Sequence, residues 1–96
     1  MRGNKYIKLG DAISQMFKEE NLEEKYSVFA VRNAWKEIAG DLIARHTREI
    51  RYHKKVLFVV ISSDVIRNEL SYNKKDLIEK INKFCGKRLV EELILK

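Results

Sequence analysis

A chain of 96 residues, 45% hydrophobic and 35% charged, has material for one core and not for two. Its lone cysteine, Cys85, excludes an internal disulfide and a cysteine-based zinc site, and no apolar run approaches the roughly 18 residues that span a bilayer. The formal net charge of +6 is uneven: residues 1–46 hold 8 Lys/Arg against 7 Asp/Glu, and residues 47–96 hold 12 against 7, so the second half carries +5.

The start, MRGNKYIKLG, is charged and lacks the apolar stretch of a signal peptide, which points to a reducing cytoplasm. Residues 1–7 are expected to form a flexible N-terminus and residues 8–96 a single domain. A first helix is expected from about Lys8 to Glu20, with Leu9, Ile13, Met16 and Phe17 on its apolar face. A second runs from about Glu23 to Ala39, where Val28, Val31, Trp35 and Ile38 recur at helical spacing. Gly40 stands where a glycine would end that helix in a left-handed conformation. Asp41 is placed to cap a helix of one or two turns and to pair with Arg45 four residues on.

From Thr47 the period changes to two. Ile50 and Tyr52 fall on one face of a strand, and Glu49, Arg51 and His53 on the other. Val56–Ile61 is a run of six apolar residues rich in β-branched types, a second strand that pairs with the first as an antiparallel hairpin. Lys54 and Lys55 lie at the turn. Because two-residue primed turns favour Gly or Asn at positive φ, a looser loop of four residues is expected there. Ser62, Ser63 and Asp64 supply cap chemistry for one long helix to about Cys85, with Ile66, Leu70, Leu77, Ile81 and Phe84 on its buried stripe. Gly86 ends it, and Val90–Leu95 is a last strand. The fold class is therefore α+β in the order α-α-β-β-α-β, with helices on one face of a three-stranded sheet.

No catalytic constellation is legible. His46 and His53 have no nucleophile set up beside them, and phosphate-loop, dinucleotide and zinc-protease motifs are missing. The expectation is a binding protein with no cofactor and no metal. The basic residues say more. Arg45, Arg48, Arg51, Lys54 and Lys55 fall within eleven residues leading into and across the hairpin, a common way to reach a phosphate backbone. Lys74 and Lys75, further candidates for nucleic-acid contact, lie on the long helix, where an ordinary solvated face is the preferred account. If Leu57, Val59 and Ile61 face the helices, Phe58 points to the open side of the sheet with Arg51 and His53, placed to stack a base or to bury against a partner. Trp35 reads as core, His46 as a hydrogen-bonded joint and Cys85 as a buried structural thiol.

The segment AWKEIAGDLIARHTREIRYHKKVLFVVISSDVIRNEL resembles the DciA family, small bacterial proteins associated with the replicative helicase. The residues that carry the resemblance are Trp35, Ile38, Gly40, His46, Thr47, the alternating Leu57, Val59 and Ile61, then Ser62, Ser63, Glu69 and Leu70, with Ile81-Asn82 and Gly86 further on. The resemblance covers about Leu9 to Leu95. It implies a single KH-like domain and a role in recruiting or loading the replicative DNA helicase, with contact to single-stranded or forked DNA. Three departures stand out. Lys55 replaces the glycine expected at the turn. Asp64-Val65-Ile66 replaces an aromatic after Ser-Ser. The basic C-terminal extension of many members is not matched after Lys96, which puts those contacts on the domain itself. No GXXG loop is present, so KH-like describes topology and not a mode of binding. Competing readings are a KH-like RNA-binding module and an adaptor that forms a homodimer through the face around Phe58. No membrane partner is expected.

Overall fold

The computed structural model describes residues 21–96. The expected helix at 8–20 and the flexible residues 1–7 lie outside the described residues. Asn21 opens the first described helix, α1 (Leu22–Asn33), its side-chain oxygen accepting from the Glu24 amide at 2.8 Å. The 23–39 helix is in fact broken. Ala34 leaves helical geometry at φ −101° and ψ 13°, and α2 (Trp35–Ala39) follows as a separate short piece. Val28, Val31, Trp35 and Ile38 nevertheless stay on one buried stripe.

Gly40 departs from expectation in kind. Its φ of 100° and ψ of 156° are extended in the mirror-image region, open to glycine alone, and not left-handed helical. This lets the chain turn directly into α3 (Asp41–Arg45), where Asp41 and Arg45 pair at 3.2 Å as their spacing requires.

β1 (Thr47–His53) and β2 (Val56–Ile61) pair antiparallel with His53 opposite Val56, so the turn is only Lys54 and Lys55. Both have positive φ, 46° and 69°, as a two-residue primed turn demands. The expected four-residue loop is thus corrected: pairing of the full strands outweighs the turn preference of two lysines. β3 (Glu92–Leu95) lies parallel to β2 on its other side, giving a mixed sheet in the order β1-β2-β3.

The long helix is also broken, into α4 (Asp64–Ser71) and α5 (Lys74–Cys85), with Tyr72 and Asn73 between them. Ser63 caps α4, its Oγ accepting from the Ile66 amide at 3.3 Å. Leu77 and Ile81 stay buried, Cys85 packs beside them, and Phe84 turns outward at 46% exposure, against expectation. Counting each broken helix once, the order is α-α-β-β-α-β, as expected.

Strand β2 alternates strictly. Leu57, Val59 and Ile61 are buried under the helices with Leu70, Leu77 and Ile81, while Val56, Phe58 and Val60 face the other way. Between α5 and β3, Asn82 acts like a strand neighbour: its amide donates to the Val90 carbonyl and its oxygen accepts the Val90 N–H, both at 2.9 Å. Gly86 closes α5 in the left-handed conformation.

Candidate functional site

The signature residues form a joint. The Trp35 indole N–H donates to Thr47 Oγ1 at 3.0 Å, and that hydroxyl donates to the Ile43 carbonyl at 2.7 Å, tying α2, α3 and β1 together. His46 Nδ1 lies 3.3 Å from Ser62 Oγ, and the Ser62 amide donates to the His46 carbonyl at 2.7 Å, tying the start of β1 to the end of β2. With the capping Ser63, the mirror-region Gly40 and the buried Leu70, these positions hold the hairpin against the helices.

The face of the sheet away from the helices holds a concavity of about 700 Å³, lined among others by Arg51, His53, Phe58, Val60 and Lys96. Strand register decides who meets whom. Arg51 pairs with Phe58, and Phe58 with Ile94, so an aromatic ring sits mid-sheet between a cation and an apolar neighbour. Lys96 Nζ lies 5.6 Å from the Phe58 ring centroid, in cation–π range. The residues of this face stand outside the helix-side core cluster. Arg32 borders it too, and its positive charge is offset in part: Glu49 holds Arg51, and Glu92 lies opposite Val56.

The tip carries the surplus of positive charge. Lys54 and Lys55 are exposed, and Lys55 Nζ donates to the Arg88 carbonyl at 3.2 Å, which sets the α5–β3 loop with Arg88 against the turn. The Lys55 carbonyl accepts from the Glu91 amide at 2.8 Å, fixing that arrangement through the backbone as well.

The other cations go elsewhere. Arg48 sits at the register shift between Thr47 and Glu49, a bulge that turns it toward the outer edge of β1. Arg45 pairs with Asp41 at the end of α3. Lys74 and Lys75 open α5 in the helix layer, so they do not join Phe58. The fold thus brings together Arg51 with Phe58 and Lys54 with Lys55, and separates Arg45, Arg48, Lys74 and Lys75 from both.

Three contributors escaped the sequence. Lys96 joins Phe58 only through the β2–β3 pairing, and Arg88 joins the tip only through the α5–β3 loop. Arg32 reaches from α1 to the Ile50 carbonyl, with Nε at 3.2 Å and Nη2 at 2.7 Å, a contact 18 residues away in sequence. Chemical reactivity is low where titration shifts: burial pushes the Cys85 thiol up, away from the thiolate. Among the described residues no His/Cys/Asp/Glu group is placed to hold a metal ion, and no helix is long and apolar enough to cross a membrane.

A family model described as Dna[CI] antecedent, DciA matches residues 8–95, nearly the whole chain. No curated protein and no solved structure matches it.

Proposed function

The chain belongs to the DciA family, a family of helicase-loading and accessory factors of replication, and on that footing we propose that it recruits or loads the replicative DNA helicase while contacting single-stranded or forked DNA. It does so as a non-enzymatic single domain.

The observation that carries the DNA part is Phe58, held outward mid-sheet with Arg51 beside it and Lys96 over its ring. An aromatic face flanked by cations stacks a base and neutralises the adjoining phosphate, with little dependence on sequence. Lys54 and Lys55 at the tip add phosphate contacts at the end of the same sheet. A strand with its bases splayed fits this arrangement better than a duplex, whose bases are stacked away from a flat protein face.

The test is a pull-down with the organism's own replicative helicase, together with titration of a labelled oligothymidylate over a salt series. The expected result is a helicase complex, and DNA affinity that falls steeply as salt rises. Lys54→Glu/Lys55→Glu weakens DNA binding and leaves the helicase complex in place. A purified protein that binds neither helicase nor single-stranded DNA at low salt ends this reading. Preference for RNA over DNA of one sequence, through the 2′-hydroxyl, turns it toward an RNA-binding module.

A further inference from the structure

The cations that crowd together in the sequence part company in the fold, and one of them, Arg48, joins Lys25, Arg32 and Lys36 along the outer edge of β1. Two concavities run along that edge. One is bordered by Arg32, Lys36 and Arg48, with Trp35 and Thr47 at its floor. The next is bordered by Lys25, Phe29, Arg32 and Tyr52. Arg32 lines both and makes them one trough between the helix layer and the strand, and with Glu49 and Tyr52 it also borders the concavity over the Phe58 face.

Carboxylates are outnumbered there. Asp41 is shared by Lys36 at 3.8 Å and Arg45 at 3.2 Å, and Glu49 is engaged by Arg51. Arg48 has no ion-pair partner among the described residues. Arg32 spends two of its five N–H donors on the Ile50 carbonyl, which fixes the guanidinium in place with donors to spare. Those two bonds already block the strand edge against pairing with another chain. Lys36 and Arg48 are not needed for that. At the far end Phe29 projects from α1 at 57% exposure.

We propose that this trough, which meets the Phe58 face at Arg32, Glu49 and Tyr52, is a track for the sugar–phosphate backbone of single-stranded DNA. Arg48, Lys36 and Arg32 take successive phosphates, and Phe29 stacks a base where the strand leaves. A positively charged groove with an aromatic platform at one end is the usual composition of a single-strand site. The proposal rests on the reading of this chain as a DNA-contacting factor, and it adds a second surface to the Phe58 face.

The experiment titrates labelled oligothymidylate into the full chain over a salt series, for the parent, Lys36→Gln/Arg48→Gln, Phe29→Ala and Lys54→Gln/Lys55→Gln. All substituted side chains are exposed, and thermal melts identify any variant that does not fold; Arg48→Gln alone is the fallback. The expected result for Lys36→Gln/Arg48→Gln is affinity down about tenfold at low salt, with the salt slope reduced by about 1.4, two phosphates at about 0.7 each. Phe29→Ala weakens binding by at least about fivefold with the slope unchanged. If Lys36→Gln/Arg48→Gln keeps the parent affinity and slope while Lys54→Gln/Lys55→Gln loses both, the trough is not the track and the DNA reading stands. If the parent binds no DNA, the DNA reading itself fails.

Discussion

At the scale of single residues, the turn lysines pose the sharpest physical question. Lys54 and Lys55 both sit at positive φ, where a side chain costs about 1 kcal/mol or more relative to glycine. A site that keeps two lysines there trades stability for charge at the tip. Lys55→Gly should therefore stabilise the fold by about 1 kcal/mol, since the exposed contact to the Arg88 carbonyl returns little. That corresponds to a melting temperature roughly 4–8 °C higher, read by thermal denaturation, with weaker DNA binding in the same preparation. A lower melting temperature would show that the lysine side chain, and not the backbone, governs the turn. Tyr52 makes a second residue-level case. Its hydroxyl donates to the Leu89 carbonyl at 2.8 Å, and burial first, then Glu24 and Glu91, raise its pKa above the ordinary 10.0. A proton held more tightly in the native than in the unfolded state gives stability that is complete below pH of about 10 and is lost as the pH rises past it. Tyr52→Phe should cost about 1 kcal/mol at neutral pH, a gap that narrows above pH of about 10 in denaturant melts across pH.

At the scale of elements, what could be seen beforehand was whatever depends on local period. Val28, Val31, Trp35 and Ile38 mark one helical stripe whether or not the helix is continuous, and Leu57, Val59 and Ile61 mark the buried face of β2. The breaks at Ala34 and at Tyr72-Asn73 carry no proline or glycine to announce them. Nothing in the local sequence marks them, so they reflect tertiary packing and not local propensity. Phe84 turned outward for another reason: the packed face of α5 runs through Leu77, Ile78, Ile81 and Cys85, which leaves Phe84 at its margin in the last turn. The candidate site was legible in part on this logic. Arg51 and Phe58 follow from alternation alone, whereas Arg48 depends on a bulge, and Arg32, Arg88 and Lys96 depend on contacts between distant parts of the chain. Asn82 shows how one polar side chain sets such a contact. Its two hydrogen bonds to Val90 hold the α5–β3 loop so that β3 enters beside β2. Asn82→Ala leaves both backbone groups of the buried Val90 unpaired, and a loss of about 2–3 kcal/mol is expected in urea titration. A variant as stable as the parent would mean that water replaces the side chain at no cost.

At the scale of the whole molecule, the open sheet face has two competing uses, and its size decides between them. Strands of seven, six and four residues, at about 3.3 Å per residue and about 4.8 Å apart, outline a flat patch of about 270 Å². A stable protein dimer buries about 800 Å² of each partner. Even allowing for the relief of its side chains, this face is several times too small to hold two copies together by itself. Its apolar members, Val56, Phe58, Val60 and Ile94, are also half-buried already by their neighbours, so little further surface is left to remove from water. A patch of this area matches one or two stacked bases, whose energy comes from a single ring and not from extent. The domain should therefore run as a monomer in light scattering at micromolar concentration, and Phe58→Asp should leave that mass unchanged. The same substitution places a carboxylate where a base would stack, beside Arg51 and Lys96, and should weaken oligothymidylate binding by at least about fivefold. A dimeric parent that Phe58→Asp dissociates, with DNA affinity intact, would reverse the assignment and make the face a contact between copies of this chain.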